Sequence, residues 1–137
     1  MNGYLLDTNI LSEPLRKTPN PKVLEKLTRY QARLAISATV WHEVIFGCRI
    51  LPSSRKRRTF EEYFFQAVAP AMPILPYDER AALWHAEEWA RLRSQPPPFR
   101  DGQIAAVAKV NDLVLVTANV ADFQPFRGLW VENWMKP

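Results

Sequence analysis

Four carboxylates stand where the chain otherwise alternates apolar runs with turn residues. Asp7 ends the run Tyr4-Leu5-Leu6 and is followed by Thr8 and Asn9, and Asp101 precedes Gly102-Gln103-Ile104-Ala105-Ala106. Asp122 follows Val114-Leu115-Val116 within a few residues, and Glu43 is embedded in Val40-Trp41-His42-Glu43-Val44-Ile45-Phe46. On a helix the neighbours of Glu43 at three and four positions are Thr39, Val40, Phe46 and Gly47, so its carboxylate is paired, metal-bound or peripheral to the core. Brought into one cleft, such acids repel one another and cannot all ionise unless a cation neutralises them. Oxygen-only donors suit Mg²⁺ or Mn²⁺, which suit phosphate chemistry: one or two such ions activate a water and clamp a phosphodiester for in-line attack. Each acid also has a plainer role. Asp7 and Asp101 are good helix N-caps, Asp122 a good loop cap, and Asp78 is read only as a cap. The residues alone leave both roles open.

Other chemistries have less support. There are four glycines, no Gly-rich phosphate loop and no G-x-S-x-G elbow. His42 and His85 are isolated and read as surface or packing residues. Cys48 is alone, which excludes a disulfide framework and a Cys-rich zinc site. The run Arg55-Lys56-Arg57-Arg58 is an ordinary solvated helix face or, beside an acidic metal cleft, a phosphate track to which Arg16, Lys17 and Arg100 add. Eighteen basic against fourteen acidic side chains give a net charge of +4. That mildly favours an anionic partner such as nucleic acid.

These side chains need a frame. The 137 residues, 47% apolar and 23% charged, read as one globular domain over residues 1–137. Short apolar strands are expected at Leu5-Leu6, Leu34-Ala35-Ile36, Ile74-Leu75, Val114-Leu115-Val116 and Leu129-Trp130-Val131. Helices are expected over residues 10–16 and 22–30, from Ala38 towards Leu51 behind the cap Ser37, and from Ser53-Ser54 through the basic run to Val68. Two more run from Asp78 to about Arg93, with Leu83, Trp84, Trp89 and Leu92 available for packing, and from Asp101 to about Val110. Pro96-Pro97-Pro98 forms a stiff connection without helix. Strands alternating with helices predict an α/β fold: a three-layer α/β/α sandwich on a mainly parallel sheet of about four to five strands. In it, Asp7 lies at the carboxyl end of a strand, where open α/β sheets place their ligands. Neither a signal peptide nor an apolar run of ~18 residues is visible, so a cytoplasmic protein is expected.

At this point the motifs resemble a known family. Leu5-Leu6-Asp7-Thr8-Asn9-Ile10-Leu11-Ser12-Glu13, then Ile36-Ser37 leading to Glu43, then Asp101-Gly102-Gln103-Ile104-Ala105-Ala106, then Leu115-Val116-Thr117-Ala118-Asn119 with Asp122-Phe123 look like the PIN domain. Their order is most similar to the VapC toxins, particularly a FitB-like branch that shares Ser12-Glu13-Pro14-Leu15-Arg16, and the tail Gly128 to Trp134 is similar too. The resemblance implies a Mg²⁺-dependent endoribonuclease, with Mn²⁺ a plausible substitute, acting on RNA as the toxin of a type II toxin–antitoxin pair. It also implies neutralisation by a small cognate antitoxin, and a homodimer. Carried over, Asp7, Glu43 and Asp101 match the metal-site acids, and Asn119 or Asp122 fills the fourth position. Thr8, Asn9, Ser37 and Thr117 are expected to donate hydrogen bonds that fix the carboxylates. Arg55, Lys56, Arg57, Arg58 and Arg100 are expected to contact RNA. The three prolines depart from the family, where a glycine-containing connection is expected. A PIN-like module that binds RNA or protein without cutting, and an RNA-processing nuclease with no antitoxin, are the alternatives.

Overall fold

Every strand takes its place by reference to β1 (Tyr4–Leu6) in the computed structural model, which describes residues 2–136. The other strands are β2 (Leu34–Ser37), β3 (Ile74–Leu75), β4 (Val114–Val116) and β5 (Val131–Glu132). They form one sheet in the order β3-β2-β1-β4-β5, and every neighbouring pair is parallel. Leu5 is in register with Ala35 on one side and with Leu115 on the other. A strand covered on both faces has no polar side to present. Accordingly Leu5, Leu6, Ile36, Leu115 and Val116 are all fully enclosed. Helices flank the sheet, giving the three-layer α/β/α architecture, with five strands.

The helices are α1 (Thr8–Leu11), α2 (Pro21–Arg29), α3 (Ala38–Arg49), α4 (Arg55–Glu62), α5 (Glu79–Arg91), α6 (Phe99–Val110) and α7 (Val120–Phe123). Most starts follow capping chemistry. Asn20, Ser37, Ser54 and Asp78 each accept a hydrogen bond from a backbone N–H in the first turn of the helix they precede. Among the described residues, no helix is long and apolar enough to cross a membrane.

Several elements differ from expectation. The first helix begins at Thr8 and ends at Leu11, with a 3₁₀ turn over Glu13–Leu15, because Pro14 cannot continue an α-helical hydrogen-bond ladder. The helix behind the basic run passes into a π-helix over Tyr63–Val68, which turns Phe64 and Val68 into the core. Here Tyr63 donates to the Leu11 carbonyl at 2.7 Å, and burial pushes its phenol pKa up to about 12. Asp101 is not the N-cap of its helix. Pro98 is, so Phe99 and Arg100 join the first turn and Asp101 lies inside it. The last strand pairs through Val131 and Glu132, while Trp130 is 66% exposed; Leu83, expected to pack, is 62% exposed.

The contact between α5 and α6 sets where the first turn of α6 lies. His85 on α5 is buried between Phe99 (ring centroids 4.7 Å apart) and Trp89 (5.5 Å), and its Nδ1 shares a 2.8 Å hydrogen bond with the Tyr77 hydroxyl. It packs directly on Gly102. A Cβ at that position would stand 2.0 Å from His85 Nε2, and the ring has no room to retreat. Gly102 therefore serves helix–helix approach rather than a turn.

Two outcomes follow. Gly102→Ala should lose about 2 kcal/mol in urea unfolding despite alanine's better helix propensity, and Gly102→Ala combined with His85→Ala should lose less than the sum of the two single changes. Burial lowers the His85 pKa, so the native state holds this ring neutral while the unfolded chain titrates near about 6.5. The unfolded state then binds the extra proton. Stability should fall as pH drops through that window, and His85→Gln should flatten this part of the pH profile of the urea midpoint.

Candidate active site around Arg100

Three elements deliver three acids to one point. β1 ends at Asp7, α3 presents Glu43 from its second turn, and the first turn of α6 presents Asp101. Asp7 is tightly held: its Oδ1 accepts from the Thr8 N–H at 2.8 Å and its Oδ2 from the Thr117 hydroxyl at 2.8 Å. Asp7 therefore caps α1 and is a site acid at once, since a carboxylate oxygen has lone pairs for more than one donor. The Thr8 hydroxyl donates to Glu43 Oε1 at 2.7 Å. Asn9 Oδ1 accepts from the Ala118 N–H at 3.0 Å, tying the exit of β4 to α1.

At the centre lies Arg100. Its Nε donates to Glu43 Oε2 at 2.5 Å, and its Nη2 to Glu43 Oε1 at 2.9 Å and to Asp7 Oδ1 at 2.7 Å. Its Nη1 donates to Asp101 Oδ1 at 2.8 Å. All three guanidinium nitrogens are engaged with carboxylates, the geometry for which arginine's planar fork is suited. Asp7 is 1% exposed, whereas the Arg100 side chain is 35% exposed, so the cluster is closed beneath and open on one side.

The electrostatics follow from this arrangement. Hydrogen bonding to Glu43 raises the Arg100 pKa, against the opposing effect of burial, with further help from Asp7 and Asp101. For Glu43, burial acts to raise the pKa, but hydrogen bonds from Arg100 and Thr8 outweigh it and leave the group below the ordinary carboxylate range. Asp101 goes the other way. Burial raises its pKa, Arg100 only partly offsets that, and the charges of Asp122 and Asp7 push it further up.

The remaining expected residues are placed as follows. Ser37 does not reach a carboxylate: its hydroxyl oxygen accepts from the Val40 N–H at 3.1 Å and is committed to capping α3. Asn119 is exposed at the start of α7, where its backbone N–H donates to the Thr117 hydroxyl at 3.0 Å. Asp122 is exposed on α7, near enough for its charge to act on Asp101. The basic run splits, because consecutive helical residues face different ways. Lys56 lines a groove of about 880 Å³ with Arg16 and Lys17; this groove has an apolar floor of Val44, Leu51, Phe60 and Phe64 and reaches Thr8 and Glu43. Arg57 is tied to Glu61 and the Leu51 carbonyl, Arg58 lines a separate recess, and Arg55 is exposed. Arg100, expected as a surface contact for RNA, is instead the hub of the acid cluster. The signal for that role was its place immediately before Asp101 in one helical turn.

The donor set fits a hard divalent cation in kind. It is all carboxylate and hydroxyl oxygen, focused on a single positive centre, with neither sulfur nor imidazole. The spacing is that of a guanidinium fork. Among the described residues, no three His, Cys, Asp or Glu side chains are close enough to hold an ion together as they stand.

Several known proteins are similar to this chain in sequence and fold. The PIN domain model matches residues 4–124. Toxin FitB of Neisseria gonorrhoeae is 34% identical over 124 residues, covering 87% of this chain and 89% of its own. The tRNA(fMet)-specific endonuclease VapC of Shigella flexneri is 29% identical over 136 residues, covering 98% of this chain and 99% of its own. The crystal structure of FitAcB from Neisseria gonorrhoeae superimposes with a TM-score of 0.88 at 31% identity, over 98% of this chain and 99% of that one. A motif order spanning the chain, a parallel sheet with Asp7 at the end of its central strand, and relatives of matching length all agree: the chain belongs to the PIN-domain family, alongside the FitB and VapC toxins.

Proposed function

We propose that the protein is a Mg²⁺-dependent endoribonuclease acting in the cytoplasm as the toxin of a toxin–antitoxin pair. The observation that carries this reading is the convergence of Asp7, Glu43 and Asp101 on one cationic point at the mouth of a groove rimmed by Arg16, Lys17 and Lys56. The names of the relatives support it, one as a toxin and one as an endonuclease acting on a tRNA. A cognate antitoxin and a second copy of the chain are the proposed protein partners. Phe46 on α3 and Ile50 at its C-cap, 56% and 66% exposed, offer apolar surface for association.

In this reading Asp7 and Asp101 hold Mg²⁺ and Glu43 binds it or orients its water, with Asn119 or Asp122 completing the cluster. When bound, the ion supplies a water of lowered pKa and positive charge beside the scissile phosphate. The chain does the rest. Thr117 and the Thr8 N–H fix the Asp7 rotamer, and the Thr8 hydroxyl fixes Glu43. Glu43 is held ionised by hydrogen bonds from Arg100 and Thr8, the state suited to facing a cation. The cationic rim draws the phosphodiester backbone along the groove towards the acids.

A second reading has one observation in its favour. Arg100 already pairs with all three acids and offsets part of their charge, which also suits a PIN-like module that binds RNA or protein without cutting. Incubation of structured RNA with the protein should give cleavage with Mg²⁺ or Mn²⁺, none in EDTA, and none with Asp7→Asn or Asp101→Asn. Cleavage persisting in either case would sink the metal mechanism, and RNA binding without millimolar Mg²⁺ binding in calorimetry would favour the non-cutting module. With Asp7→Asn protein and uncut RNA, Lys56→Ala should lower the slope of log Kd against log salt by about 0.7, whereas Arg58→Ala should leave it unchanged.

A further inference from the structure

We propose that Arg100 is a built-in occupant of the metal position: the guanidinium and the divalent ion exclude each other, and the ion enters only after Arg100 leaves the acid cluster. This rests on the reading that the acids bind a metal. It adds that the chain itself competes for them.

The oxygen inventory carries the inference. Asp7, Glu43 and Asp101 offer six carboxylate oxygens. Four accept from Arg100: Asp7 Oδ1, both oxygens of Glu43 and Asp101 Oδ1. A fifth, Asp7 Oδ2, accepts from Thr117. Only Asp7 Oδ2 and Asp101 Oδ2 are therefore clear of the guanidinium, and an ion bound there alone would leave Glu43 and the other oxygen of each aspartate to Arg100 instead of gathering the three acids. The fork also spreads the acids around a group wider than an ion, in keeping with the absence, among the described residues, of any three such side chains placed to hold one. A dication set among these oxygens would stand against the guanidinium, and like charges at such a separation repel even in a partly exposed site. One of the two must go.

Arg100 has somewhere to go. Its side chain is 35% exposed, and it borders an open recess of about 520 Å³ lined by Thr39, His42, Phe46 and Gln103. The exchange requires a rotamer change that carries the guanidinium out of the cluster towards this recess while Asp101, on the same helical turn, stays. The released cation then lies beside the acids and facing the recess, where a phosphate of the substrate is the natural counter-charge. Arg100 is thus a positioning residue in the metal-free state, keeping three acids together without an ion. Apparent metal affinity is reduced by the fraction of molecules in which Arg100 remains bound.

Metal binding and side-chain spectroscopy test this without any activity readout. Calorimetry should give Arg100→Gln about tenfold or greater tighter Mn²⁺ binding than the wild-type chain, with Asp7→Asn abolishing binding in both backgrounds. In EDTA, Arg100→Gln should melt below the wild type, and saturating Mn²⁺ should close that gap. Should Arg100→Gln fail to fold, the wild-type chain decides. In ¹⁵N spectra the Arg100 Nε–H should be protected from exchange in EDTA, then move to the position of a solvent-exposed arginine as Mg²⁺ is added. Equal or weaker Mn²⁺ binding by Arg100→Gln, or an Arg100 signal unmoved at Mg²⁺ saturation, overturns the exclusion and leaves the metal reading standing. If neither protein binds Mn²⁺, both fall.

Discussion

Charge balance at the end of one buried strand is the constraint on which the rest of this structure depends. Two carboxylates 4 Å apart repel by about 4 kcal/mol at an effective dielectric of 20, and three together are worse. Asp7 cannot relieve this by turning to water, being 1% exposed. The fold answers with fixed donors. Thr8 and Thr117 hold the carboxylates from behind, and Arg100 faces them from the open side. The supporting elements read as consequences. α6 must begin where it does, because one helical turn carries both the cation and Asp101, and its start is set by His85 packed on Gly102. α3 must cross near α1 so that Thr8 meets Glu43.

Much of this was legible in the residues, for identifiable reasons. The inner strands show as unbroken apolar runs because both faces of a parallel sheet are covered, and the caps Ser37, Ser54 and Asp78 show because capping is local chemistry. What was not legible is non-local. Arg100 reads as one more surface cation, since its partners Glu43 and Asp7 lie 57 and 93 positions away. Asp101 reads as a helix cap, and nothing local marks the role of Gly102, because its packing partner His85 lies on another helix. Ser37 was expected at the carboxylates, but a hydroxyl spent on a helix N-terminus is not free for a second role in the same direction. At the carboxyl-terminal strand, Leu129-Trp130-Val131 has the composition of a core strand. The paired residues are instead Val131 and Glu132, with Trp130 giving only its carbonyl to the Leu115 N–H and its side chain to solvent, as an edge strand with one partner allows.

The two edges of the sheet differ from its middle. β3 and β5 are two-residue strands, too short to template pairing with another chain, a common protection for exposed edges. The tail is anchored differently. Trp134 is fully buried, with its ring 5.1 Å from Tyr4 and 5.7 Å from Tyr30, so the chain's last turn packs against the start of β1. Aromatic contact there locks together segments that backbone pairing leaves apart.

The strand order carries a consequence for biosynthesis. β1 precedes the other described strands in the chain and is the middle strand of the finished sheet, yet its neighbour β4 brings Thr117 to Asp7 across 110 residues. Until that stretch has left the ribosome, β1 has an open edge and Asp7 lacks both its hydroxyl partner and its arginine. A nascent chain therefore carries the separate acids long before it carries a site. Loop closure over so long a span is slow, which delays assembly further. The order of synthesis thus separates the appearance of the acids from the assembly of the site, because Asp7 must wait for a hydroxyl 110 positions later.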